Sequence, residues 1–96
     1  MDEDNISYHD KEICICAAHK TVSGEIFRGN RHCNCLATIA WAGRTPSKKA
    51  DDSGFITSRN RFVTRREGYL LQRAAGIESA DPGGYRGEEL YSEDLY

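Results

Sequence analysis

Ninety-six residues with a formal charge of −2 make one small domain, spanning 1–96, with room for only a modest core. A protein that grips long nucleic acid is usually basic overall, so this balance argues against that class. No apolar run reaches the length of a membrane span, Met1-Asp2-Glu3-Asp4 is unlike a signal peptide, and the four cysteines are expected to stay reduced in a cytosolic setting.

In chain order, 1–10 reads as a frayed polar start. Residues 12–18 (Glu-Ile-Cys-Ile-Cys-Ala-Ala) are apolar on both faces, as an internal strand requires. Ser23-Gly24 is a turn into a second strand over 25–28, which completes an antiparallel hairpin. Asn30 is placed to cap a helix over 31–42 that ends at Gly43. His32, Cys35, Leu36, Ile39 and Ala40 share one face and are the expected buried stripe, with Trp41 at an edge or an interface. The stretch 43–53 has no apolar periodicity and reads as a mobile loop whose lysines could close over an anion. A short strand over 54–58 follows. Thr64 and Glu67 have capping-box spacing, which starts a helix that stops at Gly76. That helix is expected to bury Leu70, Leu71, Ala74, Ala75 and Tyr69, while Gly68 weakens it by roughly 1 kcal/mol relative to Ala. Asp81-Pro82-Gly83-Gly84 is a turn, and the closing 90–96, with two leucines and two tyrosines, should dock. The expected fold is α+β: a small antiparallel sheet with two helices packed on one face, assembled as a homo-oligomer that buries more apolar surface.

The charge is uneven: the first twelve residues are acidic, 28–73 is basic, and 88–94 is acidic again. A basic patch within a slightly acidic chain suits a small anionic ligand. Helix N-termini offer unpaired N–H groups and partial positive charge. Arg61, Arg65 and Arg66 surround one such start, with Asn60 and Phe62 beside them, and Arg31 and His32 stand at the other. Cations there oppose the helix dipole, so stability alone does not explain them. Arginines could hold phosphates, Phe62 could stack on a base, and Asn60, His32 and Asp94 could orient sugars or base edges. The plainer alternative puts Phe62 in the core and pairs Asp94 or Glu93 with Arg65.

Cys14-x-Cys16 and Cys33-x-Cys35 beside His32 invite a zinc reading. On a helix, residues two apart point about 200° apart, so Cys33 and Cys35 would struggle to share an ion. Small buried hydrophobes suit these thiols better, and no metal or cofactor is expected. Cys33 and His32 are helix neighbours that do not face each other, and no Walker-type loop or G-x-S-x-G is present, so no catalytic residue is assigned.

Gly29-Asn30-Arg31-His32, Gly54-Phe55-Ile56-Thr57-Ser58, the Arg61-Phe62-Val63-Thr64-Arg65-Arg66-Glu67 helix start and the Leu90-Tyr91-Ser92-Glu93-Asp94-Leu95 ending carry a resemblance over most of the chain from Ile13 onward. The chain resembles the Thoeris anti-defence signal-sequestering proteins of phages. Arg66 and Gly68 depart from that pattern. The resemblance implies an oligomeric, non-catalytic sponge that holds a cyclic nucleotide immune signal in the cytoplasm of an infected bacterial host. A cyclic ADP-ribose isomer is the first candidate and a cyclic oligonucleotide the second. The alternatives are a protein–protein inhibitor that uses Trp41 and the tyrosine-rich tail as anchors, and a zinc-stabilised interaction module.

Overall fold

The structure, a computed structural model, describes residues 11–95, so the frayed start expected over 1–10 lies outside the described residues. Among them, four antiparallel strands form one sheet: β1 (Cys14–Lys20), β2 (Ile26–Gly29), β3 (Ser53–Thr57) and β4 (Phe62–Thr64), in the order β2-β1-β3-β4. Two helices, α1 (His32–Trp41) and α2 (Arg65–Ala74), pack against it, which makes the expected α+β fold. The apolar character of both faces of β1 does place it inside the sheet, where Ala17 and Ala18 are fully buried.

Phe55 of β3 marks the helix-bearing face. His32 of α1 meets its ring edge-on with centroids 5.1 Å apart. Gly68 of α2 comes so near that a Cβ there would stand 3.4 Å from Phe55 Cδ1, 3.1 Å from Leu90 Cδ2 and 3.2 Å from Cys14 Sγ. The core is therefore Cys14, Ala17, Cys35, Phe55, Val63 and Leu90. Gly68 costs helix propensity, but its missing side chain is what lets α2 approach the sheet.

The buried stripes differ from those expected. Cys35 and Ile39 are the buried residues of α1, while Leu36 and Ala40 are exposed. In α2 the buried residues are Gly68 and Gln72, while Leu70 and Ala74 are exposed. Helical spacing gave the periodicity, but the direction of closest approach was set by small side chains at 35 and 68. Gln72 is tolerated inside because its Oε1 accepts from Cys14 N at 2.8 Å.

β4 was not expected, since 61–64 reads as a lead into the helix. A three-residue loop, 58–60, reverses the chain into it. Asn60 N donates to Thr57 O at 2.8 Å and Thr57 N to Arg61 O at 2.9 Å. Asn60 takes φ 59°, the left-handed position such loops require and Asn tolerates. Thr64 then caps α2 as its spacing demands: Thr64 Oγ1 accepts from Glu67 N at 3.2 Å, and Glu67 Oε1 accepts from Thr64 N at 2.9 Å. At the start of α1 the cap is Arg31 rather than Asn30, and Asn34 Oδ1 accepts from Arg31 N at 3.1 Å.

Within the stretch 43–53, residues 45–47 pair beside the chain that leaves β1, and Ala50–Asp52 form a 3-10 turn ahead of β3. Val22 N donates to Thr45 O at 2.9 Å, Ser47 N donates to Lys20 O at 2.9 Å, and His19 Nε2 donates to Ser47 O at 2.8 Å. The tail docks: Leu90 is fully buried and its N–H donates to Arg65 O at 2.9 Å, which lays 90–94 across the start of α2.

Candidate functional site

Both helices rise from the same face of the sheet, and the tail crosses beside them. Arg31, His32 and Cys33 from the start of α1, Arg65 from the start of α2, and Tyr91, Ser92 and Glu93 from the tail line one cleft of about 380 Å³. That size falls within the ordinary range for a small-molecule site.

Arg65 is its central cation. Its guanidinium lies over the Tyr91 ring, 5.4 Å from the centroid, and its Nε is buried with no hydrogen-bond partner among the described residues. A buried donor left unmatched costs about 1–3 kcal/mol. Glu93, the acid at the rim, lies 3.7 Å from Arg86. Neither Glu93 nor Asp94 takes up Arg65 as the plainer reading proposed.

His32 sits at the back. Its Nε2 donates to Gly54 O at 2.8 Å, which fixes the proton on that nitrogen and ties α1 to β3. Burial holds its pKa below the ordinary 6.5, with the Gly54 bond opposing and the Arg65 charge adding to the shift. The ring is therefore neutral at pH 7, and in neutral imidazole the Nδ1 is an acceptor.

The other residues singled out in the sequence lie elsewhere. Arg61 Nε and Nη2 donate to Glu12 Oε2 and Oε1 at 2.8 and 2.7 Å. This fork, with a further bond from Thr57 Oγ1, holds the buried Glu12 carboxyl down at about 2. Asn60 is the turn residue, and its Oδ1 accepts from Arg28 Nη2 at 2.9 Å. Phe62 faces away from the helices beside Lys20, whose Nζ lies 4.5 Å from the ring centroid. Asp94 is not among the residues that line the cleft and is buried: Oδ2 accepts from Tyr91 N at 2.8 Å and Oδ1 from Ser79 Oγ. It fastens the tail.

Of the seven candidates, the cleft thus gathers Arg31, His32 and Arg65. Tyr91 joins them without having been singled out, as does Cys33, which had been weighed only as a metal ligand or a nucleophile. Alternation along Leu90-Tyr91 held the signal for Tyr91: a leucine driven into the core puts the next side chain on the other side.

Cys33 is exposed and Cys35 is buried, as a two-residue helical offset dictates. Burial pushes Cys14 up to about 12 and Cys35 up to about 11, so both are protonated thiols at neutral pH. Among the described residues, no three of His, Cys, Asp and Glu assemble as a metal site.

Fold and cleft together define a small α+β protein with arginines converging between two helix starts and a docked tail. The chain belongs to the phage T4 y16D protein family, whose model matches residues 13–96. It is a phage protein, and among its described residues no helix is long and apolar enough to cross a membrane. No curated protein and no solved structure matches the chain.

Proposed function

We propose that this phage protein captures a small phosphate-bearing nucleotide signal in the cleft and holds it without turnover, in the cytoplasm of the infected bacterium. The observation that carries this reading is the convergence of Arg31 and Arg65 at two helix N-termini around one cleft. Cations at that end of a helix are unfavourable until an anion joins them. An anionic oxygen in the cleft would pair with the Arg65 guanidinium at the positive end of the α2 dipole. The resemblance to signal-sequestering phage proteins narrows the ligand to a cyclic ADP-ribose isomer, with a cyclic oligonucleotide as the second candidate. Sequestration requires ground-state affinity alone, whereas turnover requires groups that favour a transition state.

The test is capture and release. The purified protein is mixed with cyclic ADP-ribose isomers and cyclic di- and trinucleotides, filtered, and then heat-denatured. One compound should leave the free pool and return intact on heating. A chemically altered compound would establish turnover and end the sponge reading. If every compound stays free, nucleotide capture is excluded. Arg65→Ala should weaken capture roughly 10- to 100-fold, the worth of a charged hydrogen bond. Arg61→Ala should leave affinity unchanged and act on stability, because its partner is Glu12.

A further inference from the structure

We propose that Tyr91 is a positioning residue that holds Arg65 ready for an anion, an inference that rests on the reading of Arg65 as the phosphate-holding group. An arginine free to move keeps many rotamers, and fixing it on an incoming anion costs entropy that subtracts from affinity. A guanidinium already held in place loses less. Arg65 opens α2 and is partly buried, and its guanidinium carbon lies 5.4 Å from the Tyr91 ring centroid. An aromatic face attracts a cation through its quadrupole and carries no net charge of its own. The contact therefore restrains Arg65 and leaves its charge available to a ligand. A carboxylate in the same place would restrain it and neutralise it together.

Two further observations support this role. First, the ring is fixed relative to the arginine. Leu90, one residue before it, is fully buried and its N–H donates to Arg65 O at 2.9 Å. Tyr91 N donates to Oδ2 of the buried Asp94 at 2.8 Å, and Asp94 Oδ1 accepts from Ser79 Oγ. The backbone of Arg65 and the backbone that carries the ring are thus tied together for as long as the tail is docked. Second, the acids nearby are engaged elsewhere. Arg86 Nη2 lies 3.7 Å from Glu93 Oε2 and 3.8 Å from Asp81 Oδ2, and the Arg86 guanidinium carbon lies 4.7 Å from the same Tyr91 centroid. Among the described residues, no carboxylate forms an ion pair with Arg65. An acidic tail crossing an arginine would ordinarily neutralise it. This tail gives its acids to Arg86, Ser79 and its own backbone, and offers Arg65 a ring.

Nuclear magnetic resonance of the full chain tests both the contact and its purpose. Without ligand, the Tyr91 ring current should place the Arg65 side-chain protons upfield of their random-coil positions. Tyr91→Phe should keep that shift and Tyr91→Leu should abolish it. Inorganic pyrophosphate is then titrated while the amides of His32 and Cys33, on the α1 side of the cleft, report binding. Tyr91→Leu should raise the dissociation constant roughly 3- to 30-fold, the worth of a cation–π contact, and Tyr91→Phe should recover most of that loss. In an Arg65→Ala background, Tyr91→Leu should add less than about 2-fold, because the group it positions is gone. An equal loss in both backgrounds would mean that Tyr91 only keeps the tail folded, and overturns the proposal. So do Arg65 protons at random-coil positions, a Tyr91→Leu chain that binds as the wild type does, or a cleft that pyrophosphate leaves unperturbed. Pyrophosphate held in the Tyr91-dependent manner, with every cyclic nucleotide left free, would end the nucleotide reading and uphold the role of Tyr91.

Discussion

The two helices are the same length and end the same way, yet they meet the sheet on different terms. Each spans ten residues and closes on a left-handed glycine, Gly43 or Gly76. In each, the N–H groups that follow the helix return to carbonyls three and five positions back in the same pattern: Gly43 to Ala40 and Arg44 to Ile39, Gly76 to Arg73 and Ile77 to Gln72. α2 begins with a reciprocal Thr64–Glu67 cap, carries charge along its outer side and sinks into the core through Gly68. α1 has no charged residue, buries only Cys35 and Ile39, and turns Trp41 to solvent. A helix that is finished on its outer side can face water alone. One that is apolar on both sides leaves its outer stripe in water.

The largest test of that contrast lies under α2. Leu90→Ala opens a cavity where the tail locks against Gly68, and should cost about 2–5 kcal/mol in urea unfolding. Gly68→Val should cost about 1–3 kcal/mol by overpacking against Leu90 and Cys14. Gly68→Ala should lie near neutral, because its gain in helix propensity, about 1 kcal/mol, offsets a tight contact. If Gly68→Val proved harmless, α2 would not be seated as closely as described. Thr64→Ala removes the cap and should lower stability by about 1 kcal/mol. On α1, by contrast, Leu36→Ala should change the stability of the dilute chain by less than about 0.5 kcal/mol.

The last difference appears only in acid. The Glu12–Arg61 fork anchors the start of β1 to the hairpin that feeds α2, and among the described residues no such ion pair involves α1. Because the folded carboxyl sits at about 2 against an ordinary 4.5, its contribution is full above 4.5 and fades as pH falls through 2. Glu12→Gln should flatten that part of the acid-unfolding curve. A wild-type stability curve flat between those pH values would show that the fork contributes nothing.

Much of the fold was legible before any coordinates. Doubly apolar β1, the Thr64–Glu67 cap and the two stopping glycines carry their conformations in local chemistry. β4 was not legible, because three residues beside a helix start give no periodicity and their strand character comes from pairing with β3. The same limit governed the site. Arginines at two helix starts were visible, but nothing in the order of residues shows that Glu12 takes Arg61 and leaves Arg65 in the cleft.

By itself, then, the sequence determined strands, caps, stops and the excess of cations at helix starts, since these depend on backbone preference and neighbours a few residues away. Tertiary structure decided which face of each helix is buried, which arginine is neutralised and where Tyr91 comes to rest. Those outcomes depend on side chains such as Cys14, Gly68 and Leu90, far apart in the chain, meeting within a few ångströms in the folded core.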